Sequence, residues 1–308
     1  MTSDDPPGLT DALAAVERDH GARVVAVRDI GSRAWNLHSA TSDHDVAALF
    51  VQRPAAYARL GDVVESVERT AGETELRAWN VRRFGELLAD SNPTALEFCH
   101  SPLVHRPYEP LAALVADVAD RFDPMAVYHH YRSLATRQYH KYLQRRLLDG
   151  GEPVSVVVEE LEDAYRVRPV DTPDAPDTPD APTERVPKDR YEAATTDRTV
   201  KRALYVVRGI LYAAYVRDTH RFPPLDFGAF LDSVGAVDGF DPDPELVATA
   251  RDLAERKRAG EGGAVVGDPV GQDALPPEHI DPGTHAVRGI PRERVNAFIE
   301  RALADAPE

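Results

Sequence analysis

The sequence predicts an α+β fold in which a small mixed β-sheet domain precedes a helical domain. Two observations support this fold class. Val-rich and alternating segments between residues 22 and 80 have the period of strands, and from Val81 onward almost every periodic segment has helical spacing. Strands followed by a run of helices are typical of α+β proteins. A length of 308 residues is enough for roughly two domains.

The elements follow in order along the chain. The first are a helix over 9–19, strands over 22–29 and 45–51, and a hairpin of 63–69 and 73–80 around a turn at Thr70–Gly72. The later segments predicted as helices are 81–90, 94–99, 109–120, 125–148, 197–219, 243–258 and 290–304. A twice-repeated Asp/Pro unit at 171–182 has nothing to bury, so it predicts a disordered insertion over about 168–192. Gly and Pro predict a long loop over 260–289. The predicted domains are a sheet domain over 1–107, a helical domain over 108–259 and a C-terminal segment over 260–308.

Composition excludes several classes of protein. Cys99 stands alone, so a disulfide scaffold and a Cys-rich zinc site are excluded. No apolar run reaches the roughly 20 residues of a membrane span, and the acidic N-terminus is unlike a signal peptide, which predicts a soluble cytoplasmic protein. The net charge is −16, and 32 of the 36 basic residues are Arg. This balance is similar to that of proteins from salt-loving organisms, and it confines any phosphate-binding site to a local basic pocket.

The residues that point to chemistry are Gly31-Ser32 and, ten residues later, Asp43-His44-Asp45. Glycine lets backbone amides approach a phosphate closely, and serine adds a hydroxyl. Asp43 and Asp45 at a strand start point to the same face, whereas His44 points away. Two converging carboxylates need a cation, and hard oxygen ligands favour Mg²⁺ or Mn²⁺. Glu73 or Glu75 on the next strand could supply a third carboxylate for a two-metal site.

This arrangement resembles the signature of the DNA polymerase β nucleotidyltransferase superfamily. The matching residues are Ile30, Gly31, Ser32, Asp43, Asp45 and Val46. Further blocks resemble one group within it, the predicted nucleotidyltransferases often encoded beside RNA ligases and associated with RNA repair. These blocks are Gly31–Trp35, Ser42–Val46, Trp79–Asn80, Ser91–Glu97, Ser101–Pro102, His130–Ala135, Val200–Arg208 and Pro223–Phe227. Glu75 stands where that group commonly has Asp. The resemblance spans roughly 25–233 and leaves the tail beyond about 240 uncovered.

The resemblance implies a polymerase β-like palm and metal-dependent transfer of NMP from an NTP, such as ATP, with release of pyrophosphate. The acceptor it implies is an RNA end, and it implies a functional link to an RNA ligase. A protein hydroxyl or a small molecule remains an alternative acceptor. Asp43, Asp45 and Glu75 (or Glu73) would hold two Mg²⁺ or Mn²⁺ ions. The residues expected to bind the nucleotide are Gly31, Ser32, Arg33, Lys201, Tyr205 and Arg208.

Two acid-free stretches, 124–148 and 198–217, support a phosphate pocket in this acidic chain. Lys201, Tyr205 and Arg208 share one helix face, as do Arg137, Lys141 and Arg145. The alternative is that the Arg stems cover apolar surface where the helices pack. Two other functions stay open: a non-catalytic or antitoxin-like NTP-binding module of the same fold, and a glycosyltransferase, which also uses Asp-x-Asp. Trp35 and Trp79 are expected in the core, and Cys99 is expected to be buried and inert.

Overall fold

The computed structural model describes residues 5–61, 63–118, 121–169, 182–193, 198–280 and 289–307. In these ranges the strands are β1 (Ala22–Asp29), β2 (His44–Gln52), β3 (Ser66–Ala71), β4 (Thr74–Asn80), β5 (Val104–Arg106), β6 (Arg146–Asp149), β7 (Glu152–Glu160), β8 (Ala164–Pro169), β9 (Glu184–Pro187) and β10 (Glu192–Ala193). The helices are α1 (Leu9–His20), α2 (Gly31–Ala34), α3 (Pro54–Tyr57), α4 (Val81–Ala89), α5 (Pro93–His100), α6 (Glu109–Val118), α7 (Pro124–Gln138), α8 (Val200–Thr219), α9 (Phe227–Ser233), α10 (Pro244–Arg258) and α11 (Arg292–Ala304).

The chain divides into two compact units, each made of separate stretches of sequence. The first contains Met1–His130, Tyr212–Pro242 and His279–Glu308. The second contains Tyr131–Leu211 and Asp243–Glu278. The contiguous domain boundaries given above remain a prediction.

Strands β1 to β5 form the sheet of the first unit, in the order β3-β4-β2-β1-β5. β2 and β4 run parallel, and the other neighbours are antiparallel. The predicted small mixed sheet is therefore confirmed. The two strands and the hairpin predicted from the sequence also form, with ends shifted by at most a few residues.

One face of this sheet is covered by α1. Its buried residues Leu9, Ala12, Leu13 and Val16 recur at helical spacing, so a single stripe of the helix is apolar. That stripe packs in a core whose strand residues are Ala22, Val24, Val27, Val46, Ala48, Phe50, Leu76 and Ala78. Gly21 ends the helix in the left-handed conformation, with φ of 55°. The chain then enters β1 directly.

An aromatic cluster forms elsewhere in the first unit. Trp79 at the end of β4 contacts Phe84 of α4 and Phe98 of α5, with ring centroids 6.4 and 5.9 Å apart. Phe84 also contacts Phe298 of α11 at 6.1 Å. Trp79 is therefore a core residue, as expected. The C-terminal helix α11 belongs to the first unit and packs against α4.

The second unit contains a five-stranded antiparallel sheet that the sequence analysis did not predict. Its order is β10-β6-β7-β8-β9. The helix predicted over 125–148 is wrong at its C-terminal end. α7 stops at Gln138, one π-helical turn follows over Tyr139–Leu143, and β6 begins at Arg146. The turn between β6 and β7 holds Gly150 and Gly151, both at positive φ of 59° and 91°, which is typical of a tight hairpin.

The disordered insertion predicted over about 168–192 is wrong at both margins. β8 extends to Pro169, and β9 pairs with it over Glu184–Pro187. Val186 of β9 is fully buried in the small core of this sheet. Its burial explains why the neighbouring residues pair with β8. The middle of the predicted insertion, 170–181, lies outside the described residues.

The other predicted helices form close to their expected ends. In its described part, the long loop expected over 260–289 contains one 3₁₀ turn, Gln272–Ala274, and an isolated bridge between Thr199 and Val265. Residues 281–288 of this loop lie outside the described residues. None of the helices in the described ranges is long and apolar enough to cross a membrane.

Candidate functional site

The site begins where β1 ends. Ile30 is extended, and Gly31 starts the single turn of α2 at φ of 66°, a left-handed conformation that favours glycine. The amide of Ile30 donates to the carbonyl of Asp45 on β2 at 2.8 Å. A Cβ at position 31 would stand 2.3 Å from Oδ2 of Asp45, so only glycine leaves room for that carboxylate. Gly31 and Asp45 are therefore in direct contact, and Ser32 is buried beside them.

Asp45 and Glu75 are register partners on the two parallel strands β2 and β4. Side chains of such partners point to the same face of a sheet. Their neighbours Val46 and Leu76 belong to the core beneath α1, so both carboxylates point to the opposite face. Glu73 lies in the turn before β4, where its carbonyl accepts from the amide of His44 at 2.9 Å. Glu75 is thus the register partner of Asp45, whereas Glu73 lies before the strand.

Asp43 precedes the first residue of β2 and is exposed, whereas Asp45 is half-buried. Arg33 ties α2 to this segment, since its guanidinium donates to the carbonyl of Ser42 at 3.0 Å and to that of Asp43 at 3.4 Å. Arg33 is therefore held against the backbone that carries Asp43.

The donor chemistry suits a divalent cation, and the space at Gly31 lets one carboxylate approach the bend. Asp43, Asp45 and Glu75 offer only hard oxygen ligands, as Mg²⁺ or Mn²⁺ prefers. Within the part of the chain that the structure describes, no three His, Cys, Asp or Glu side chains are gathered closely enough to hold a metal ion. The Asp45–Glu75 register nevertheless places two of the three donors side by side.

A separate cluster of titratable groups lies on the α1 side of the sheet. Nε2 of His105 is 2.8 Å from Oδ1 of buried Asp29, and Nδ1 is 3.4 Å from Asp5. The hydrogen bond to Asp29 raises the pKa of His105. Burial, aided by the charge of Arg33, lowers the pKa of His44. His44 thus favours the neutral form and faces away from the carboxylates, as the strand alternation predicts.

Two residues on the carboxylate side were missed in the sequence. Arg28 is the register partner of Ala47, so it shares the face of Asp45. Its guanidinium donates to the carbonyls of Phe98 and Cys99 at 3.2 and 2.6 Å, at the C-terminal end of α5. Glu97 is buried and accepts from the indole of Trp35 at 3.2 Å. A single Arg or Glu in so charged a chain carries no local signal.

Cys99 is buried, as expected, and burial raises the pKa of its thiol to about 12. The thiol therefore stays protonated at neutral pH. This agrees with an inert core role.

Lys201, Tyr205 and Arg208 lie on α8 within the second unit. Arg208 is buried, with its guanidinium 5.8 Å from the ring of Tyr131, and Lys201 is exposed, 5.9 Å from the ring of Tyr205. Burial, with the charge of Lys201, lowers the pKa of Lys257 nearby. This unit therefore holds its own cluster of cations.

Of the second predicted stripe, Arg137 and Lys141 are exposed. Arg145 instead forms ion pairs with Glu160 and Asp268. The ring of Tyr142 contacts Lys141 at 5.0 Å and Arg202 at 4.1 Å. The structure therefore does not keep the three stripe residues in one common environment.

Comparisons with known proteins show which family the chain resembles. Residues 8–268 match the family model RlaP, described as the RNA repair pathway DNA polymerase beta family. The chain is 25% identical over 255 residues to the uncharacterized protein YcgL of Bacillus subtilis (strain 168). The aligned region covers 82% of this chain and 76% of that protein. A crystal structure of a nucleotidyltransferase-like protein from Exiguobacterium sibiricum 255-15 aligns with 97% of this chain and 75% of its own, at 9% identity and a TM-score of 0.24. Because the family model matches most of its length, the chain belongs to the RNA repair pathway DNA polymerase beta family.

Proposed function

We propose that this protein transfers a nucleoside monophosphate from an NTP to an acceptor hydroxyl and releases pyrophosphate. The observation that carries the proposal is the contact between Gly31 and the carboxylate of Asp45, beside Glu75 on the adjacent parallel strand. The family description favours RNA as the acceptor.

Asp43, Asp45 and Glu75 would hold two Mg²⁺ or Mn²⁺ ions. When bound, these ions would neutralise phosphate charge and polarise the reacting oxygens. The register partner of Asp45 is Glu75, which supports Glu75 over Glu73 as the third carboxylate. Because like charges repel, we expect the three side chains to converge only around the cations.

The rest of the site would position the substrate. Gly31 and Ser32 would contact the terminal phosphates, and Arg33 would offset their charge. Lys201, Tyr205 and Arg208 remain nucleotide-binding residues that the family resemblance implies. The carboxylate of Glu75 would accept the proton of the acceptor hydroxyl, whose oxygen then attacks the α-phosphorus. The bond from that phosphorus to the β-phosphate oxygen then breaks, and pyrophosphate leaves. Orientation and electrostatic stabilisation are the main contributions expected from the protein.

The test is to incubate the protein with each α-labelled NTP, Mg²⁺ or Mn²⁺, and total RNA in high salt. We expect label in RNA and released pyrophosphate. Asp43→Asn and Asp45→Asn should abolish both while the circular dichroism spectrum is unchanged. Asp241→Asn is the matched control, because Asp241 belongs to a second Asp-x-Asp sequence and is exposed.

Full activity in Asp45→Asn would overturn the proposal. NTP binding without pyrophosphate release, with any acceptor pool, would favour the non-catalytic module instead. Label in protein or in a small molecule would keep the chemistry and replace the acceptor.

A further inference from the structure

The bend that carries Gly31 and Ser32 is too short to hold its own shape. α2 has only four residues, and a single helical turn is unstable alone. Within the bend, the amide of Trp35 donates to the carbonyl of Gly31 at 3.0 Å. The amide of Leu37 donates to the carbonyl of Ser32 at 2.8 Å. Asn36 between them is left-handed, with φ of 55°. The conformation of this bend must therefore be fixed from outside.

Arg33 contacts the backbone of Ser42 and Asp43, and Trp35 contacts Glu97. Further outside contacts come from a segment about 190 residues further along the chain. The amide of Phe227, the first residue of α9, donates to the carbonyl of Trp35 at 2.9 Å. Nδ2 of Asn36 donates to Oδ2 of Asp226 at 3.1 Å. The other oxygen of Asp226 accepts from the amide of Ala229 at 3.0 Å and so caps α9. One carboxylate thus joins the bend to the start of a helix.

That segment is itself firmly anchored in the first unit. The hydroxyl of Tyr212 donates to the carbonyl of Pro224 at 2.7 Å. The Tyr212 ring contacts Phe227 and Phe230 with centroids 5.8 and 5.0 Å apart, and all three rings are fully buried. Asp226 therefore projects from a rigid support.

We infer that Asp226 is a positioning residue for the nucleotide site. Through Asn36 it holds the bend so that Gly31 stays against Asp45 and Ser32 keeps its place for the terminal phosphates. The inference rests on the proposed function. Because the bend contacts phosphates in both the ground state and the transition state, loosening it should raise the KM for NTP more than it lowers kcat.

The test exchanges the two members of the pair. Asn36→Asp places two carboxylates together, and Asp also tolerates the left-handed conformation. We expect the KM for NTP to rise by about fivefold, the loss of roughly one hydrogen bond, with kcat changed less. Asp226→Asn alone should have a smaller effect, because its side chain still caps α9 and can bond to Asn36 after an amide flip. The double variant Asn36→Asp/Asp226→Asn restores a donor opposite a carboxylate and should recover the wild-type KM.

Two further variants separate positioning from stability. Asn36→Gly keeps the left-handed backbone and removes the side-chain bond to Asp226, so it serves if Asn36→Asp fails to fold. Asp243→Ala removes the cap of α10, where Asp243 accepts from the amide of Glu245 at 2.9 Å. It should lower stability without changing the KM.

Hydrogen exchange over residues 30–37 gives a readout that needs no turnover. We expect faster exchange there in Asn36→Asp and Asn36→Gly, with protection recovered in the double variant. If the wild-type protein transfers no nucleotide, the proposed function fails, and exchange together with ATP binding still decides the positioning role. Unchanged exchange in both single variants, or a double variant as impaired as Asn36→Asp, would overturn it.

Discussion

The two units each contain a five-stranded sheet, yet they are stabilised by different interactions. In the first unit the central strand β2 is fully buried from Val46 to Val51, and α1 covers one face. In the second unit the core cluster of the sheet has four buried side chains, Leu147, Tyr165, Val167 and Val186. Around it the strands are joined by exposed ion pairs such as Arg166 with Glu159. Apolar burial contributes far more than exposed ion pairs. The carboxylates therefore sit on the better supported sheet.

The largest expected effect follows from removing the space beside Asp45. Gly31→Ala would place a methyl 2.3 Å from the Asp45 carboxylate, so we expect nucleotidyl transfer to fall by about 100-fold or more. Gly21→Ala is the matched control. Gly21 also has positive φ, at 55°, but nothing lies within 4 Å of its Cβ position. It should lose about 1 kcal/mol of stability and keep full activity.

Steady-state kinetics and urea unfolding of both variants check this prediction. Equal activity loss in the two would mean that backbone strain, and not the carboxylate contact, explains the effect. Wild-type activity in Gly31→Ala would separate Asp45 from the reaction altogether.

The next effect compares two fully buried leucines, Leu49 on β2 and Leu147 on β6. We expect Leu49→Ala to lose about 3–4 kcal/mol and Leu147→Ala about 2 kcal/mol, because a small core at the edge of solvent can collapse around the missing atoms. Because the two units need not unfold together, hydrogen exchange is measured separately for the strands of each sheet. Leu147→Ala should loosen β6 to β9 and leave β1 to β4 protected. A larger loss for Leu147→Ala would reverse the comparison.

The contrast between the sheets also explains what the sequence could predict. β1 and β2 have continuous apolar runs, and α1 has a clear stripe, so local periodicity was sufficient. β6, β9 and β10 are short, and the pairings of β10 with β6 and of β9 with β8 join segments that are distant in sequence. The Gly150–Gly151 turn and the Val-rich run of β7 were the local signals for this sheet.

The site shows the same division. The proposed site residues Gly31, Ser32, Asp43 and Asp45 form a linear motif, which spacing and resemblance single out. The proposal of Glu75 over Glu73 rests on the β2–β4 register, and the bond from Asn36 to Asp226 joins residues 190 positions apart. Neither can be read from spacing, because both depend on how distant segments meet.

A smaller effect concerns pH on the α1 side of the first sheet. Because the bond to Asp29 raises the pKa of His105 above 6.5, its contribution to stability is fully present below pH 6.5 and is lost as the pH rises through the raised value. We expect the stability difference between wild type and His105→Gln to shrink by about 1 kcal/mol between pH 6 and pH 9. His44 acts in the opposite sense, since its lowered pKa removes stability as the pH falls below 6.5. His44 is present in both proteins, and only the effect of the His105 charge on its pKa differs between them. A difference that stays constant across urea titrations at each pH would contradict the prediction.

The smallest effect tests the ion pairs themselves. Arg69 of β3 pairs with Asp19 of α1 at 2.6 Å, with 37% of each side chain exposed, whereas about half of Arg166 and Glu159 is exposed. We expect Arg69→Gln to lose about 0.5–1 kcal/mol and Arg166→Gln less than about 0.5 kcal/mol, since water screens the more exposed pair. In 1 M KCl both losses should shrink, because the Debye length falls to about 3 Å. The wild-type melting temperature should rise in the same series if the −16 net charge reflects adaptation to salt. A melting temperature that falls would remove that hypothesis, and a larger loss for Arg166→Gln would show that the second sheet depends on its ion pairs.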